Sequence, residues 1–259
     1  MEIPQYKTQE FTLQLKKYCV CIPVINEGDK IRKQLERMSD TNIHNYADII
    51  ICDGGSSDGS LDIQFLKTHK VSALLTKEDK GKLSAQLRMG YYYALIKRNY
   101  TGIVTIDGNN KDSVENIIDI IHKLENGYDL VQGSRFTPGG NAINTPLIRH
   151  LAVKLIHIPA ISYISGFKYT DTTNGFRGYS RKFLEDQQVE PFRNIFDSYE
   201  LLGYLSVRAP QLGYRVIETH VTRSYPASGK TPTKISFIKG NSKLISILYD
   251  LYKQKYNPK

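Results

Sequence analysis

Residues 47–60, ADIIICDGGSSDGS, decide the fold class of this chain of 259 residues. The first half is an apolar run that predicts a buried strand, and the second half is a loop of small and acidic residues that begins at Asp53. Asp58 or Ser60 is placed to cap a helix after the loop. A strand that ends in such a loop before a helix is typical of sheets that bind ligands at the carboxyl ends of their strands.

The same alternation extends in both directions along the chain. Apolar runs predict further strands over 18–25, 71–75, 102–106, 128–131 and 214–221. Helical spacing predicts helices over 29–38, 82–98, 113–125 (with Ser113 as the cap), 145–164 (bent or ended by Pro159), 196–208 and from 235 onward. Strand and helix thus alternate for about 130 residues, which predicts an α/β fold with a mostly parallel central sheet flanked by helices.

Composition excludes several classes of protein. Apolar residues make up 40% and charged residues 24% of the chain, which is the balance of a globular protein and not of a disordered, collagen-like or disulfide-rich chain. Cys19, Cys21 and Cys52 lie in predicted strands, so we expect reduced, buried thiols and not a metal site. Residues 1–17 carry acids and lack an apolar core, which argues against a signal peptide. The chain contains no run of about 18 apolar residues without charge, so the sequence predicts no transmembrane helix.

The net charge of +9 predicts an anionic partner: nucleic acid, a phosphorylated ligand or a membrane surface. No nucleic-acid-reading module is found, so nucleic acid is disfavoured. Much of the surplus is local, because residues 223–259 hold eight Lys and Arg against one acid and residues 137–170 hold three against none. Both segments are amphipathic, which predicts a peripheral membrane face. The alternative is that both apolar stripes pack on the core, and a noncatalytic membrane adaptor is a further alternative.

Polar groups follow three predicted strands, at Asn26-Glu27, Asp53 to Ser60 and Asp107 to Asn109. We expect all three to meet in one crevice. The carboxylate and amide oxygens of Asp107-Gly108-Asn109 suit Mg²⁺ or Mn²⁺, although an Asx turn explains the same residues.

Basic residues follow in three more loops. Lys80-Gly81-Lys82 opens a helix, and a helix N-terminus with lysines attracts phosphate. Arg135 and Arg177 lie in Gly-containing loops and are able to clamp phosphate oxygens, with surface salt bridges as the alternative.

Taken in order, these motifs resemble family 2 glycosyltransferases of the GT-A fold. The matching motifs are IPVINE at 22–27, CDGGSSDG at 52–59, KGK at 80–82, IDGN at 106–109 and GSR at 133–135. DTTNGFR at 171–177 is similar to a segment of the polyprenyl (dolichol) phosphate mannosyltransferase and glucosyltransferase branch. The resemblance covers residues 18–226. It implies a Rossmann-like, single GT-A domain with a nucleotide-sugar-binding half (18–135), an acceptor half (136–222) and a basic amphipathic tail (223–259).

The resemblance also implies roles for single residues. The base and ribose of the nucleotide sugar would be held by Pro23, Asn26, Glu27 and Asp53. Lys82 would approach the diphosphate. Asp107 and Asn109 would hold a divalent cation across the diphosphate. The catalytic residues would be Arg135, Arg177, Asp171 and Glu200. The two arginines would bind the acceptor phosphate or the leaving diphosphate. Asp171 would brace its loop or lie near the acceptor, and Glu200 would line the acceptor side.

Two motifs depart from the family pattern. The usual Asp-x-Asp is Asp107-Gly108-Asn109 here, so one charged ligand is neutral and Asp112 is a candidate for the missing carboxylate. The usual Asp-Asp-Gly-Ser is Asp53-Gly54-Gly55-Ser56, which removes one acid near the nucleotide. Both departures bear on the identity of the donor.

The resemblance implies an inverting, metal-dependent hexosyl transfer at the cytoplasmic membrane face. The donor would be a nucleotide sugar, with a UDP-sugar preferred and GDP-mannose open, and the acceptor a polyprenyl phosphate or another lipid-linked group. Transfer to a hydroxyl of a growing surface polysaccharide is the alternative, with Asp171, Asp197 or Glu200 as the base. A sugar nucleotidyltransferase would need an early Gly-rich phosphate loop, which residues 18–27 lack. The oligomeric state is left open.

Overall fold

The structure is a computed structural model that describes residues 1–13, 16–227 and 237–258. Within those residues the strands are β1 (Tyr6–Glu10), β2 (Tyr18–Val24), β3 (Ala47–Asp53), β4 (Val71–Lys77), β5 (Gly102–Thr105), β6 (Leu130–Ser134), β7 (Asn141–Ile143), β8 (Arg177–Ser180), β9 (Val216–His220) and β10 (Thr222–Ser224). The α-helices are α1 (Asp29–Asp40), α2 (Ile63–Thr68), α3 (Leu83–Tyr92), α4 (Asn116–Glu125), α5 (Leu147–Ala152), α6 (Ile158–Ser165), α7 (Arg181–Leu184), α8 (Glu200–Gln211) and α9 (Phe237–Tyr252).

Eight strands form one sheet in the order β1-β4-β3-β2-β5-β8-β6-β9, and β7 pairs with β10 in a small second sheet. β2 lies parallel to β3 and β5, β3 parallel to β4, and β6 parallel to β9. Every residue of β2 and β3 is buried, as expected for central strands covered on both faces. The predicted mostly parallel sheet flanked by helices is therefore confirmed.

Two strands of the large sheet run antiparallel to their neighbours and were not predicted. β1 pairs with β4 at one edge, and β8 lies between β5 and β6. The sequence of β8, RGYS, contains no apolar run that would indicate a central strand. Because β8 pairs with β5, it brings residues 171–177 to the end of β5, where Asp107 begins the next loop.

Alternate residues of the central strands pack into two apolar layers, one on each face of the sheet. Cys19, Cys21 and Cys52 belong to the layer that includes α3 and α8, and all three are buried free thiols, as predicted. Val20 and Ile22 belong to the opposite layer, which includes α1 and α4. This period of two is the pattern of a strand covered on both faces.

The predicted helix caps differ from the observed ones. The carboxylate of Asp62, and not Asp58 or Ser60, caps α2 by accepting from the backbone N–H of Phe65 (2.8 Å). The side chain of Ser113 makes no capping bond to the backbone of α4 and instead donates to Asn116 Oδ1 (2.5 Å). Both loops contain several residues able to cap, and only the tertiary structure selects among them.

The predicted bend at Pro159 is a local widening of the helix. α5 passes through a π-helical turn, Val153–His157, directly into α6, in which Pro159 lies in the first turn. Proline lacks the N–H that an uninterrupted α-helix would use, and the wider turn before it accommodates its ring. Among the described residues, Leu147–Ser165 is the one helical segment long and apolar enough to cross a membrane by length and composition, which the sequence analysis did not predict.

The basic tail contains the predicted helix in the part that is described, α9, whereas residues 235 and 236 lie outside the described residues. Ile247, Leu248 and Leu251 of α9 are buried in the core layer that contains α8. Ile245 and Tyr252 of the same helix are exposed. The buried residues of α9 therefore pack on the core, which is the alternative to membrane contact given in the preceding subsection.

Candidate active site

The polar loops after β2, β3 and β5 meet at one edge of the sheet, as predicted. The backbone N–H of Asn26 donates to Ser56 Oγ (3.0 Å), and the N–H of Ser57 donates to Asn26 Oδ1 (2.8 Å). The N–H of Gly108 donates to the carbonyl oxygen of Pro23 (3.3 Å). These bonds join the three loops directly and place Pro23 and Asn26 at their junction.

Asp53 ends β3 with its carboxylate held in one orientation. Its Oδ1 accepts from the N–H (2.9 Å) and the hydroxyl (2.7 Å) of Ser56. Gln86 of α3 donates through Nε2 to the carbonyl oxygens of Val24 (2.7 Å) and Cys52 (3.0 Å). A Cβ at Gly54 would lie 2.8 Å from that nitrogen, so a larger residue there would displace the Gln86 side chain. No sequence motif marks Gln86, because it is a single polar residue within a helix.

Glu27 and Lys82 lie just before α1 and α3 in the chain. Glu27 pairs with Lys30 (3.2 Å) at the beginning of α1. Lys82 directly precedes α3, is exposed, and donates through its backbone N–H to the carbonyl oxygen of Asp197 (2.9 Å). An exposed ammonium group at a helix N-terminus is well placed to approach an anion. The nucleotide-binding roles of both residues stay predictions.

Asp107 lies at the centre of the crevice. Its Oδ2 accepts from Arg223 Nη2 (3.0 Å) and from Asn109 Nδ2 (3.3 Å). A Cβ at Gly175 would lie 2.8 Å from Asp107 Oδ1, so the loop that precedes β8 passes directly against this carboxylate. The loop after β5 and the loop 171–177 therefore meet at Asp107.

The oxygens around Asp107 fit a hard divalent cation. Asn109 Oδ1 and Asp112 Oδ1 are buried without a hydrogen-bond partner, while Arg223 Nη1 contacts the other oxygen of Asp112. Burial raises the pKa of Asp112, against the opposing effect of Arg223. Among the described residues no three His, Cys, Asp or Glu side chains form a metal-binding group. A cation here would complete its coordination with substrate phosphates and water, as Mg²⁺ usually does.

Three cationic side chains gather around Tyr225 beside Asp107. Arg149 Nη1 donates to Tyr225 Oη (2.9 Å), and Lys111 Nζ and the Arg223 guanidinium lie 4.9 and 5.8 Å from the ring centroid. Burial and the nearby Arg223 lower the pKa of Lys111. This positive charge suits phosphate or diphosphate. Arg149 and Arg223 belong to the predicted basic segments, but no motif marks any of the three cations as a site residue, because they meet only in the folded chain.

Arg135 and Asp171 form a buried ion pair. Arg135 donates through Nε to Asp171 Oδ2 (2.6 Å) and through Nη2 to Asp171 Oδ1 (2.9 Å), and the exposed fractions of the two residues are 4% and 0%. Nη2 also donates to Thr173 Oγ1 (2.8 Å). These contacts correspond to the bracing role of Asp171, one of the two that the resemblance implies. A catalytic role for either residue stays a prediction.

Arg177 opens β8 and is 1% exposed. Its guanidinium donates to the carbonyl oxygens of Asn174 (2.9 Å), Thr172 (2.9 Å) and Leu202 (2.5 Å) and to Ser206 Oγ (2.7 Å). These bonds tie the loop 171–177 to α8. Its contact with the acceptor phosphate or the leaving diphosphate stays a prediction, and the burial of the side chain disfavours it.

Glu200 begins α8 and is 3% exposed. Its Oε2 accepts from the backbone N–H of Ser198 (2.7 Å), and its Oε1 pairs with Lys243 Nζ (3.1 Å) of α9. The N–H of Leu201 donates to Ser84 Oγ (3.2 Å), so the beginning of α8 lies against the beginning of α3. The structure thus places Glu200 on the side of Lys82, and its role toward an acceptor stays a prediction.

A mostly parallel sheet with polar loops at the carboxyl ends of its strands defines the class of α/β proteins that bind ligands at this edge. The family model described as glycosyl transferase family 2 matches residues 19–187, and the chain belongs to this family. It is therefore a glycosyltransferase.

Curated relatives have low but extended identity to this chain. A polyprenol monophosphomannose synthase of Mycolicibacterium smegmatis is 26% identical over 208 residues, which cover 78% of this chain and 76% of the relative. An undecaprenyl-phosphate mannosyltransferase of Micrococcus luteus is 27% identical over 212 residues, covering 78% and 81%.

Solved structures share the fold. Glucosyl-3-phosphoglycerate synthase of Mycobacterium tuberculosis, in complex with Mn²⁺, UDP and phosphoglyceric acid, superposes with a TM-score of 0.66 at 14% identity. The match covers 91% of this chain and 78% of that one. The structure of the same enzyme with Mg²⁺ and UDP also has a TM-score of 0.66. The predicted GT-A fold is therefore confirmed.

Proposed function

We propose that this chain transfers a hexose, with inversion, from a nucleotide diphosphate sugar to a polyprenyl phosphate at the cytoplasmic face of a membrane. The observation that carries the proposal is the cluster at Asp107, in which a carboxylate and the unpartnered oxygens of Asn109 and Asp112 lie beside Lys111 and Arg223. Such a cluster matches a diphosphate bridged to the protein by a divalent cation. The named activities of the curated relatives support the lipid phosphate as the acceptor class.

The donor occupies the junction of the three loops in this proposal. Pro23, Asn26, Glu27 and Asp53 line the end that would take the base and ribose, and Lys82 and Asp107 lie toward the diphosphate. A UDP-sugar is the preferred donor and GDP-mannose the second. Asp107 and Asn109 would hold Mg²⁺ or Mn²⁺, which supplies positive charge to the departing diphosphate when bound.

The acceptor phosphate performs the attack. One of its oxygens forms a bond to the anomeric carbon from the side opposite the diphosphate, and the bond from that carbon to the diphosphate breaks. The electron pair of the broken bond stays on the nucleoside diphosphate. Arg149 and Arg223 stabilise negative charge on the phosphates, since both cations lie in the cluster around Tyr225.

The contacts of the candidate bases favour this acceptor over a hydroxyl. A phosphate monoester is ionised at neutral pH and needs no base, whereas a hydroxyl does. Asp171 is engaged by Arg135 through both oxygens, and Glu200 is paired with Lys243. Asp197 is exposed and is the base to test if a hydroxyl acceptor is found.

Arg223→Gln is expected to tighten Mn²⁺ binding to the donor-free protein at least about tenfold. The guanidinium neutralises Asp107 and Asp112 in the absence of a cation, so its removal leaves two carboxylates without their counterion. Electron paramagnetic resonance titration of free Mn²⁺ measures the effect without substrate. Arg181→Gln, which removes a surface partner of Glu185, is the matched control. Unchanged Mn²⁺ affinity in Arg223→Gln would contradict competition between the arginine and the cation.

A donor screen tests the function itself. Purified protein is incubated with short-chain polyprenyl phosphate, Mn²⁺ and UDP-glucose, UDP-galactose, UDP-N-acetylglucosamine or GDP-mannose, and the lipid product is resolved by mass. One donor is expected to give polyprenyl phosphate carrying the sugar of that donor, and chelation of the metal is expected to stop its formation. A product only with a glycan acceptor would favour the hydroxyl alternative, and no product with either acceptor would contradict the proposal.

A further inference from the structure

The helical segment from Leu147 to Ser165 presents large apolar side chains to solvent. Leu147 and Leu155 are each 70% exposed and Ile148 is 65% exposed, and α5 has no buried residue. Leu151, Ile156 and Tyr163 are also exposed. A contiguous exposed apolar segment of this kind marks an interaction surface.

The Lys and Arg side chains of this segment and its flanking residues are not accompanied by acids in the sequence. Residues 137–170 contain no Asp or Glu, and Lys154 and Lys168 are exposed. An apolar helix face whose own segment carries basic and no acidic residues complements a surface that is apolar inside and anionic outside, which is the boundary of a lipid bilayer. A protein partner of ordinary composition would not require the absence of acids.

We propose that the apolar face of residues 147–163 docks on a bilayer that contains anionic lipids, with the helix lying in the plane of the membrane. The proposal rests on the proposed function, because a polyprenyl phosphate is available only at such a surface. It assigns the membrane contact to this segment and not to the buried stripe of α9.

The segment is long enough to cross a membrane, but its contacts hold it along the protein. Near its beginning Arg149 donates to Tyr225, and the His150 ring lies edge-on to Phe136 with the centroids 5.2 Å apart. Val153 and Ile161 are buried. A helix attached to the domain in both halves exposes one side only, so immersion of that side is the geometry that leaves these contacts intact.

Docking on this face brings the cations of the crevice to the lipid headgroups. Arg149 belongs to the cluster beside Asp107, and Lys154 Nζ lies 4.9 Å from the ring of Phe136, the neighbour of Arg135. The phosphate of a membrane-embedded acceptor lies at headgroup depth. The acceptor thus reaches Arg149 without leaving the bilayer.

Co-sedimentation with vesicles tests the docking directly. The variant Leu147→Gln/Leu155→Gln changes two side chains that pack on little of the protein, so the fold is preserved. On vesicles of equal parts phosphatidylcholine and phosphatidylglycerol, we expect its binding to fall at least about tenfold below that of the unmodified protein. The matched control is Leu13→Gln/Ile63→Gln, which alters exposed apolar residues elsewhere. The control should bind like the unmodified protein, and all should bind pure phosphatidylcholine more weakly.

Equal binding of the two double variants would overturn the proposal, as would resistance of the bound protein to alkaline extraction, which indicates a spanning helix. A third outcome would also overturn the proposal. If the unmodified protein did not bind vesicles and Leu147→Gln/Leu155→Gln changed the oligomeric state, the apolar face would be a contact with a second copy of the chain. Vesicle binding needs neither donor nor acceptor, so the docking proposal is tested independently of the transferase activity. On a water-soluble short-chain acceptor the variant is expected to retain the full rate.

Discussion

Asp107→Asn is expected to lower the rate of sugar transfer about a thousandfold, equivalent to about 4 kcal/mol of transition-state stabilisation. The carboxylate is the charged group of the Asp107 and Asn109 pair proposed to hold the divalent cation, because Asn109 is neutral. The amide keeps the size of the side chain but removes the negative charge that holds the cation at the diphosphate. Initial rates with the best donor of the screen measure the loss.

Asp40→Asn is the matched control, since it removes the same charge at the exposed last residue of α1. It should transfer at the unmodified rate. Thermal melting of Asp107→Asn without ligand should stay close to that of the unmodified protein, because Asp107 is partly exposed and loses one ion pair. The proposed metal site would be wrong if Asp107→Asn retained near-normal transfer.

Local patterns were sufficient to predict the part of the fold that carries the three polar loops. The apolar runs of β2, β3 and β5 each end in a polar loop, and the parallel arrangement places those ends together. Asp53 and Asp107 therefore lie where the sequence predicts them. The same reasoning could not find β8, because a short strand with a buried arginine and a glycine has no hydrophobic period.

Contacts made by side chains distant in sequence were beyond such patterns. Arg223 and Asp107 are 116 residues apart and meet through an ion pair, while the pairing of β10 with β7 is itself a contact between distant segments. The direction of a side chain is equally hidden: Arg135 and Arg177 both belong to Gly-containing motifs, yet one pairs with Asp171 and the other bonds to backbone carbonyls. A motif identifies the loop, and packing decides which way its arginine points.

Asp171→Ala is expected to lower the free energy of unfolding by about 3 to 5 kcal/mol. The change leaves the guanidinium of Arg135 buried without its carboxylate, and an unpaired buried charge is far more costly than the loss of a surface pair. It also frees the loop 171–177, because Thr173 N–H donates to the same carboxylate (3.2 Å). Urea unfolding followed by circular dichroism measures the change.

Glu185→Ala serves as the control, because it removes the carboxylate from the exposed pair with Arg181 and should cost no more than about 1 kcal/mol. The double variant Arg135→Met/Asp171→Leu removes both charges and is expected to recover part of the stability lost in Asp171→Ala. If Arg135 also binds a phosphate, that double variant stays inactive despite its recovered fold, whereas a purely structural pair would regain activity along with stability. An Asp171→Ala protein as stable as Glu185→Ala would show that the buried pair is not what holds this loop.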